Sequence, residues 1–597
     1  MNEAGRHPTA ARKQTPGGGS KAAPWRLTLR RLWPELLLGA TMGTAYLFVV
    51  PLWEAPDEPY HLANVAYVRK YGLYTLTHGV SELPQNLKAE SSQPPVYYVV
   101  AAAASRFFGS LNGLDFGTME DVACWDEPWR FYNWGDVILP RGLRALSLLF
   151  LLLCGLLVGH ACTVARPQDP DLSGTAVAMM WAVPQVMFIG TAISNDSLAM
   201  AAGALILFLW MEVARRPSRL RFLLVGVISM LAVSIKFNLL PLAVAGSVVA
   251  PVVGTQRIGR RLLHLVLYAL PMILAVGFVM LLTPDMGHRI IHVVGRRVVV
   301  HAVRFQPLST IPLAWESFWG RFGWMNVPVH PWVRLAYWTC TVTLVMGIGA
   351  VLVRSRQMRR VGWIALLLVT ATLVAFVGNL QHSGQAQGRH TFPAIAALSL
   401  LGAIGMRAYL APRPARVAAW AVALCGAVYV LGIVMPEAYG EEPLDLIVGT
   451  SCCEGVDLTP SLGSGLPERQ AFVSSRHNLT RVGIVPATHG LPVKGTVVLS
   501  LMDRASRELV ASRTISGAEI RDGRYLFLDF PAIPDSRGRS YMIRVEASGM
   551  VRGRLQLFYS LEGDCPHGAR IPGRGNLRFA TYHLTHDRDQ EDVSREH

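Results

Sequence analysis

The feature that most constrains this 597-residue chain is a succession of apolar runs, each near the length at which a helix crosses a bilayer. In lipid every backbone polar group must be satisfied within the protein, so such runs are read as helices. They fall near 35–53, 142–165, 173–193, 197–214, 222–237, 239–254, 262–282, 332–353, 361–379, 391–410 and 416–436, and predict about eleven transmembrane helices. Only 16% of the residues are charged and 51% are hydrophobic, where soluble domains average about 25% charged. A disordered chain, a coiled coil and an ordinary cytosolic enzyme are excluded. A polytopic α-helical membrane protein is expected.

The excess of 56 Lys and Arg over 40 Asp and Glu gives +16, but its placement argues against nucleic acid as a partner. Arginines gather in short segments between apolar runs: Arg215, Arg216, Arg219 and Arg221; Arg257, Arg260 and Arg261; Arg354, Arg356, Arg359 and Arg360; Arg407, Arg413 and Arg416. That is how cytoplasmic loops look under the positive-inside rule. It predicts a multi-pass membrane protein, with residues 1–33 as a disordered basic cytoplasmic tail and the C-terminus outside. No small-residue cleavage site follows the first run, which reads as an anchor. The run from Val96 to Phe108 would cover about 20 Å as a helix, short of the roughly 30 Å hydrocarbon core. It is read as a juxtamembrane or re-entrant helix, because counting it as a span would invert every later loop.

The transmembrane domain then runs over 34–436, with long outer loops at 54–140 and 283–331. In the second loop Arg289, Arg296, Arg297 and Arg304 interleave with Ile290, Ile291, Val293 and Val294, the pattern of an interfacial amphipathic helix. His288, His292 and His301 share that basic segment, which does not suit a metal. From about 437 to 587 short alternating runs, such as Tyr541, Ile543 and Val545 on one face and Met542, Arg544 and Glu546 on the other, predict an extracytoplasmic antiparallel β-sandwich. Carbohydrate binding by that sandwich is an analogy with its fold type. A polar tail, 588–597, follows. Cys154, Cys162, Cys340 and Cys425 lie in apolar runs and read as inert core residues, and one bridge among Cys452, Cys453 and Cys565 suits an extracytoplasmic location.

Chemistry concentrates in the outer loops. Immediately after the first run comes Glu54-Ala55-Pro56-Asp57-Glu58-Pro59-Tyr60-His61, where two prolines stiffen the backbone around adjacent acids close to the membrane edge. A carboxylate there can accept a proton from a hydroxyl whose co-substrate is lipid-anchored. The plainer reading is that acids at a helix end stay wet among the headgroups.

A span followed by an outer loop opening with Pro56-Asp57-Glu58-Pro59-Tyr60-His61 resembles the GT-C glycosyltransferases, membrane enzymes that take sugars from polyprenyl-phosphate donors. A nearer resemblance is to a family of bacterial multi-pass membrane proteins of unassigned function. It is carried by Pro56-Asp57-Glu58 with His61, Gln93-Pro94-Pro95 with Tyr97-Tyr98, Ser194-Asn195-Asp196, Phe318-Trp319 with Phe322-Gly323-Trp324, and Gln387-Gly388-Arg389, over roughly 35–435. One departure is His390, where the pattern leads one to expect Tyr. The resemblance implies a GT-C-like fold and an inverting transferase. Asp57 would be the general base, Glu58 would orient the acceptor or help hold a divalent cation (Mg or Mn), and Asp196 would be a second acid. Arg389 and Lys236 would bind the donor phosphate. His61, Gln93, Tyr97, Asn195, Trp319 and Trp324 would contact substrate. The partners implied are a polyprenyl-phosphate-linked sugar, a glycan or lipid acceptor, and membrane lipid.

Each position keeps a plainer reading. Ser194 or Asn195 before Asp196 is an ordinary helix cap signal. Lys236 can snorkel to the interface, Arg389 can sit among headgroups, and the Phe318–Trp324 aromatics can form an interfacial belt. A flippase would need polar residues at mid-depth or a repeat between halves, and neither is found. A non-catalytic glycan-binding assembly protein predicts that Asp57 and Arg389 tolerate alanine.

Overall fold

The computed structural model describes residues 24–72, 93–109, 138–253, 257–282, 310–325, 327–383 and 386–439, and segments of the β-rich part between 446 and 584. The expected amphipathic segment at 289–304 with its three histidines, Cys453 and Cys565, and the tail 588–597 lie outside the described residues.

The first described helices are α1 (Pro24–Val49), α2 (Glu58–Tyr71) and α3 (Val96–Ser105); residues 24–33 of the expected disordered tail are thus helical, and 1–23 lie outside the described residues. Then come α4 (Ile138–Ala165), α5 (Pro170–Trp181), α6 (Pro184–Gly190), α7 (Asp196–Arg215) and α8 (Arg219–Val233). α9 (Leu240–Val253), α10 (Ile258–Leu282), α11 (Thr310–Trp319), α12 (Pro331–Arg354), α13 (Arg356–Ser383), α14 (Ile395–Met406), α15 (Pro412–Tyr429) and, after a π-helical turn, α16 (Met435–Tyr439) complete the described α-helices. Local signals set several starts. Asp169 caps α5 by accepting from the Leu172 N–H at 3.1 Å, and Ser218 caps α8 by accepting from the Arg221 N–H at 3.3 Å. Proline occupies the first turn of α2, α5, α6, α12 and α15, where its missing N–H costs nothing.

Among the described residues, seven helices are long and apolar enough to cross a membrane, and eight if α5 and α6, bent by 72° around Pro184, form one broken span. The protein is a multi-pass membrane protein. Three of the eleven expected runs form shorter helices instead: α8 has 15 residues, α9 has 14 and α14 has 12. At 1.5 Å per residue these cover only about 18–23 Å. They are short because the backbone leaves α geometry at Lys236, which is extended (φ −155°), and in the 3-10 segment Gly388–Ala394. Irregular backbone at such depth is tolerated only when protein surrounds it. Both breaks carry residues singled out by the sequence. The ten-residue α3 is too short to span, as expected of a juxtamembrane segment.

The arginine clusters and the candidate site residues occupy opposite ends of the same helices. α7 begins at Asp196 and ends at Arg215, and α8 begins at Arg219 and delivers the chain to Lys236. A helix the length of α7 rises about 30 Å. α7 is also the central helix, with 72% of its span buried, against 11% for α12 and 17% for α10. Cys154 and Cys162 are buried as expected, whereas Cys340 and Cys425 are exposed on outward faces of α12 and α15, since each helix turns only one stripe inward.

In the β-rich part all pairings are antiparallel. Leu526–Ile533, Leu479–Ile484, Phe579–Leu584 and Leu446–Cys452 make one sheet; Gly568–Ala569, Glu468–Val473, Ser540–Ser548, Thr496–Asp503 and Leu509–Ser516 make a second. Both contribute to one core, with Leu479, Val482 and Phe579 from the first and Phe472, Leu499 and Ile543 from the second. Tyr541, Ile543 and Val545 are buried and the intervening Met542, Arg544 and Glu546 are not, which is the alternation read from the sequence.

Close approach of α7 to the 3-10 segment needs Gly203: a Cβ there would strike the carbonyl oxygen of Pro393. Gly203→Val is expected to destabilise the protein by about 1–3 kcal/mol through overpacking, read as a lower melting temperature of the detergent-solubilised protein.

Candidate active site

The turn after α1 is folded against the Ramachandran preference of its residues. Trp53 has φ 72° and Asp57 has φ 65°. Asp visits the left-handed region with its short polar side chain, but for tryptophan this conformation costs roughly 1–2 kcal/mol. The neighbours hold it. The Trp53 N–H donates to Glu58 Oε2 at 2.9 Å, and Trp324 Nε1 donates to the Trp53 carbonyl at 3.0 Å.

Glu58, fully buried, is held by Arg144 of α4. Arg144 Nε reaches Oε1 at 2.7 Å and Nη2 reaches Oε2 at 2.6 Å. The same guanidinium donates to the carbonyls of Val50 (2.7 Å) and Pro51 (2.8 Å), acceptors left over where α1 ends. Oε1 also accepts the Ile193 N–H at 3.0 Å, in the turn that leads to Asp196. With both oxygens occupied, Glu58 does not face a ligand. It braces the turn, and the expectation that it orients an acceptor or holds a cation gives way to a positioning role.

Asp57, the next residue back, points the other way. Its Oδ2 pairs with Arg389 Nη2, and Arg389 Nη1 donates to the Pro56 carbonyl at 3.2 Å. Gln387 Oε1 accepts from Arg389 Nε at 2.6 Å, and Asp196 Oδ2 lies 3.9 Å from Nη1. Asp196 Oδ1 in turn accepts from Lys236 Nζ at 2.7 Å, and its Oδ2 from Ser194 Oγ at 2.9 Å. Four side chains from widely separated stretches thus form one alternating row: Asp57, Arg389, Asp196, Lys236. The carboxylate of Asp57 is 27% exposed, against 7% for Arg389, 1% for Asp196 and 8% for Lys236. Asp57 is therefore the member that solvent reaches most. Burial pushes its carboxyl up, but the Arg389 guanidinium outweighs that and holds it below the usual carboxylate range.

The other expected contacts divide. His61 is buried, its Nδ1 2.9 Å from Tyr98 Oη, and its ring is stacked on Tyr98 at 5.9 Å and edge-on to Tyr97 at 6.1 Å. Burial pushes its pKa down to about 3, so the ring is neutral. Among the described residues, the buried Oε1 of Gln93, at the start of α3, has no hydrogen-bond partner, and Asn195 is fully buried with neither amide atom paired. Asn195 thus does not cap α7 through its side chain. Lys236 does not snorkel: it is paired with Asp196. Trp319 packs flat on Tyr337 at 4.8 Å inside the core, and Phe318 meets Phe392 of the 3-10 segment at 5.8 Å. Phe318 braces the segment carrying Arg389 and Trp319 packs on α12, both within the protein, so the interfacial belt is not where they lie. A Cβ on Gly388 would strike the backbone of Phe318, so the segment can lie there only with glycine.

Among the described residues no three His, Cys, Asp or Glu side chains converge as a metal site. Asp57 and Asp196 already carry cationic partners and Glu58 is occupied, so this donor set does not suit a resident divalent cation. Arg144 was not singled out from the sequence, although a charge inside a long apolar run calls for a partner.

No family model matches the chain, and no curated protein matches it. Among solved structures it is similar to ArnT from Cupriavidus metallidurans bound to undecaprenyl phosphate, at 15% identity and TM-score 0.43, over 67% of this chain and 63% of that one. It is similar to arabinosyltransferase EmbB from Mycobacterium smegmatis, at 10% identity and TM-score 0.42, over 90% of this chain and 66% of that one. An Archaeoglobus fulgidus oligosaccharyltransferase tethered with an acceptor peptide gives 12% identity and TM-score 0.36, over 69% and 55%. The chain spans less than two thirds of each of these three, and likeness at this level is loose. What the site can do is read from its own side chains.

Removing Arg144 strands a buried carboxylate. Arg144→Met is expected to lower stability by about 3–5 kcal/mol, with much of the loss recovered in the Arg144→Met, Glu58→Gln double variant, as measured by thermal melts in detergent.

Proposed function

We propose that the protein is an inverting, GT-C-type glycosyltransferase. It moves a sugar from a polyprenyl-phosphate donor to a glycan or lipid acceptor of the cell envelope, at the outer face of the bacterial cytoplasmic membrane. The observation that carries this reading is the contact between Asp57 and Arg389. A carboxylate suited to take a proton and a guanidinium suited to hold a phosphate meet at the accessible edge of an otherwise buried charge cluster. They do so at the helix ends opposite the arginine clusters.

In this reading Asp57 removes the proton from the acceptor hydroxyl, and the resulting oxygen attacks the anomeric carbon on the face opposite the phosphate. The bond from that carbon to the phosphate oxygen breaks, and polyprenyl phosphate leaves with its electron pair. The configuration inverts. Arg389, with a planar fork of donors, takes up the charge that grows on the leaving oxygens, and Lys236 supports it across Asp196. Before substrate arrives Arg389 is committed to Asp57. A donor phosphate competes for the same guanidinium, and a carboxylate relieved of its cation becomes a stronger base. Donor binding thereby prepares the base for the acceptor.

Asp57→Asn keeps the shape and removes the base. Transfer from a labelled polyprenyl-phosphate sugar in membranes is expected to fall by about 10²–10⁴-fold, and undiminished transfer would remove the catalytic assignment. Sidedness has its own check, in a variant freed of reactive native cysteines. A cysteine replacing the exposed Lys70 of α2 should react with a membrane-impermeant maleimide in intact cells, whereas one replacing Arg413 should react only after permeabilisation. The reverse pattern would place residue 57 in the cytosol and end the reading.

A further inference from the structure

His390 stands beside the charge cluster yet is a member of none of its ion pairs. Its backbone N–H donates to the Gln387 carbonyl at 3.2 Å, and its ring Nδ1 lies 3.1 Å from Nδ2 of Asn238. Asn238 follows Lys236 by two residues, so the helix break that supplies the lysine also supplies this amide. An amide nitrogen donates, which makes Nδ1 the acceptor and leaves the ring proton on Nε2. Nε2 is buried and has no hydrogen-bond partner among the described residues. With Nδ1 accepting from the amide, the neutral ring presents Nε2–H as its donor. A buried N–H with nothing to donate to is rare in a folded protein.

Charge balance in the cluster says what would suit that donor. Two carboxylates, Asp57 and Asp196, are matched by two cations, Arg389 and Lys236, so no cation is left over for an arriving anion. A neutral N–H can stabilise an anion without needing a further carboxylate while the site is empty of substrate. We propose that His390 Nε2–H is a phosphate-binding donor that acts with Arg389 on the polyprenyl phosphate. This rests on the transferase reading above and adds a specific contact to it.

The test measures equilibrium binding of undecaprenyl phosphate to the purified full-length protein in detergent, with undecaprenol and inorganic phosphate as comparison ligands. Wild type, His390→Phe and His390→Gln are compared, each checked for folding by its melting temperature. The glutamine Nε2 restores a donor near the lost one, so this variant keeps the question answerable if the phenylalanine variant does not fold. The expected result is a loss of about tenfold in undecaprenyl phosphate affinity for His390→Phe, that of one hydrogen bond to a charged acceptor. His390→Gln should stay within about threefold of wild type, and undecaprenol binding should not change in either. Wild-type affinity for undecaprenyl phosphate in a folded His390→Phe would overturn the inference and leave the transferase reading standing, as would a glutamine variant weakened by tenfold or more. Equal weakening toward undecaprenol would make the residue structural. Inorganic phosphate binding as tightly as the lipid would assign the donor to free phosphate and overturn the lipid contact. If wild type itself binds no undecaprenyl phosphate, inference and transferase reading fall together.

Discussion

Glu58 accepts four hydrogen bonds on two oxygens, from Nε and Nη2 of Arg144 and from the backbone of Trp53 and Ile193, with no exposure to solvent. The four donors come from three parts of the chain: α4, the turn after α1, and the turn before α7. A carboxylate at this depth is tolerable only when its cation and its remaining lone pairs are both provided for, so these parts can come together only in one arrangement. The strained backbone at Trp53 and Asp57 persists because this interaction over-determines it. Asp57 is the residue beside that brace, and its aim at Arg389 follows from it.

The four-charge row is a different kind of structure. Buried ion pairs add little to stability compared with apolar residues of the same volume. In the proposed reading their value lies in what a ligand can do to them. The row is neutral at rest, alternates in sign, and is reached by solvent mainly at Asp57. In the proposed reading a phosphate need only displace one carboxylate from one guanidinium to be held. The charge so released is the base that the reaction uses next. The short helices make this possible, since α8 and α14 stop where Lys236 and the Gly388–Ala394 segment leave the α geometry.

Much of this was legible in the chain before folding. Apolar run lengths foretold a helical part and a segment, Val96–Ser105, too short to cross, but three of the eleven expected spans also form helices too short to cross. The alternation through Tyr541, Ile543 and Val545 foretold a strand with one buried face. The stiff Pro-Asp-Glu-Pro turn and the Arg389 and Asp196 motifs pointed to residues that the fold does bring together. Several readings could not be settled at that level. Lys236 looked equally able to snorkel or to pair, because reach to the interface and reach to an acid are both properties of a flexible stem. Trp319 and Phe318 looked like a belt because composition cannot distinguish an aromatic facing headgroups from one packed on Tyr337 or Phe392. Asp57 and Glu58, adjacent and chemically alike, looked like partners in one task, and the fold sends them to opposite sides of a turn.

Run length, arginine placement and alternation are local properties, repeated over many residues and set by what a helix in lipid or a half-buried strand requires. Run length and alternation determined a helical membrane part and a β-rich part from the amino-acid sequence by itself. Which acid meets Arg144, which meets Arg389, and that His390 is left with an unshared proton were decided only by tertiary structure. Each depends on a single contact between residues far apart in the chain, and burial makes that contact decisive: away from water a charge or donor has no substitute partner, so one neighbour settles its role.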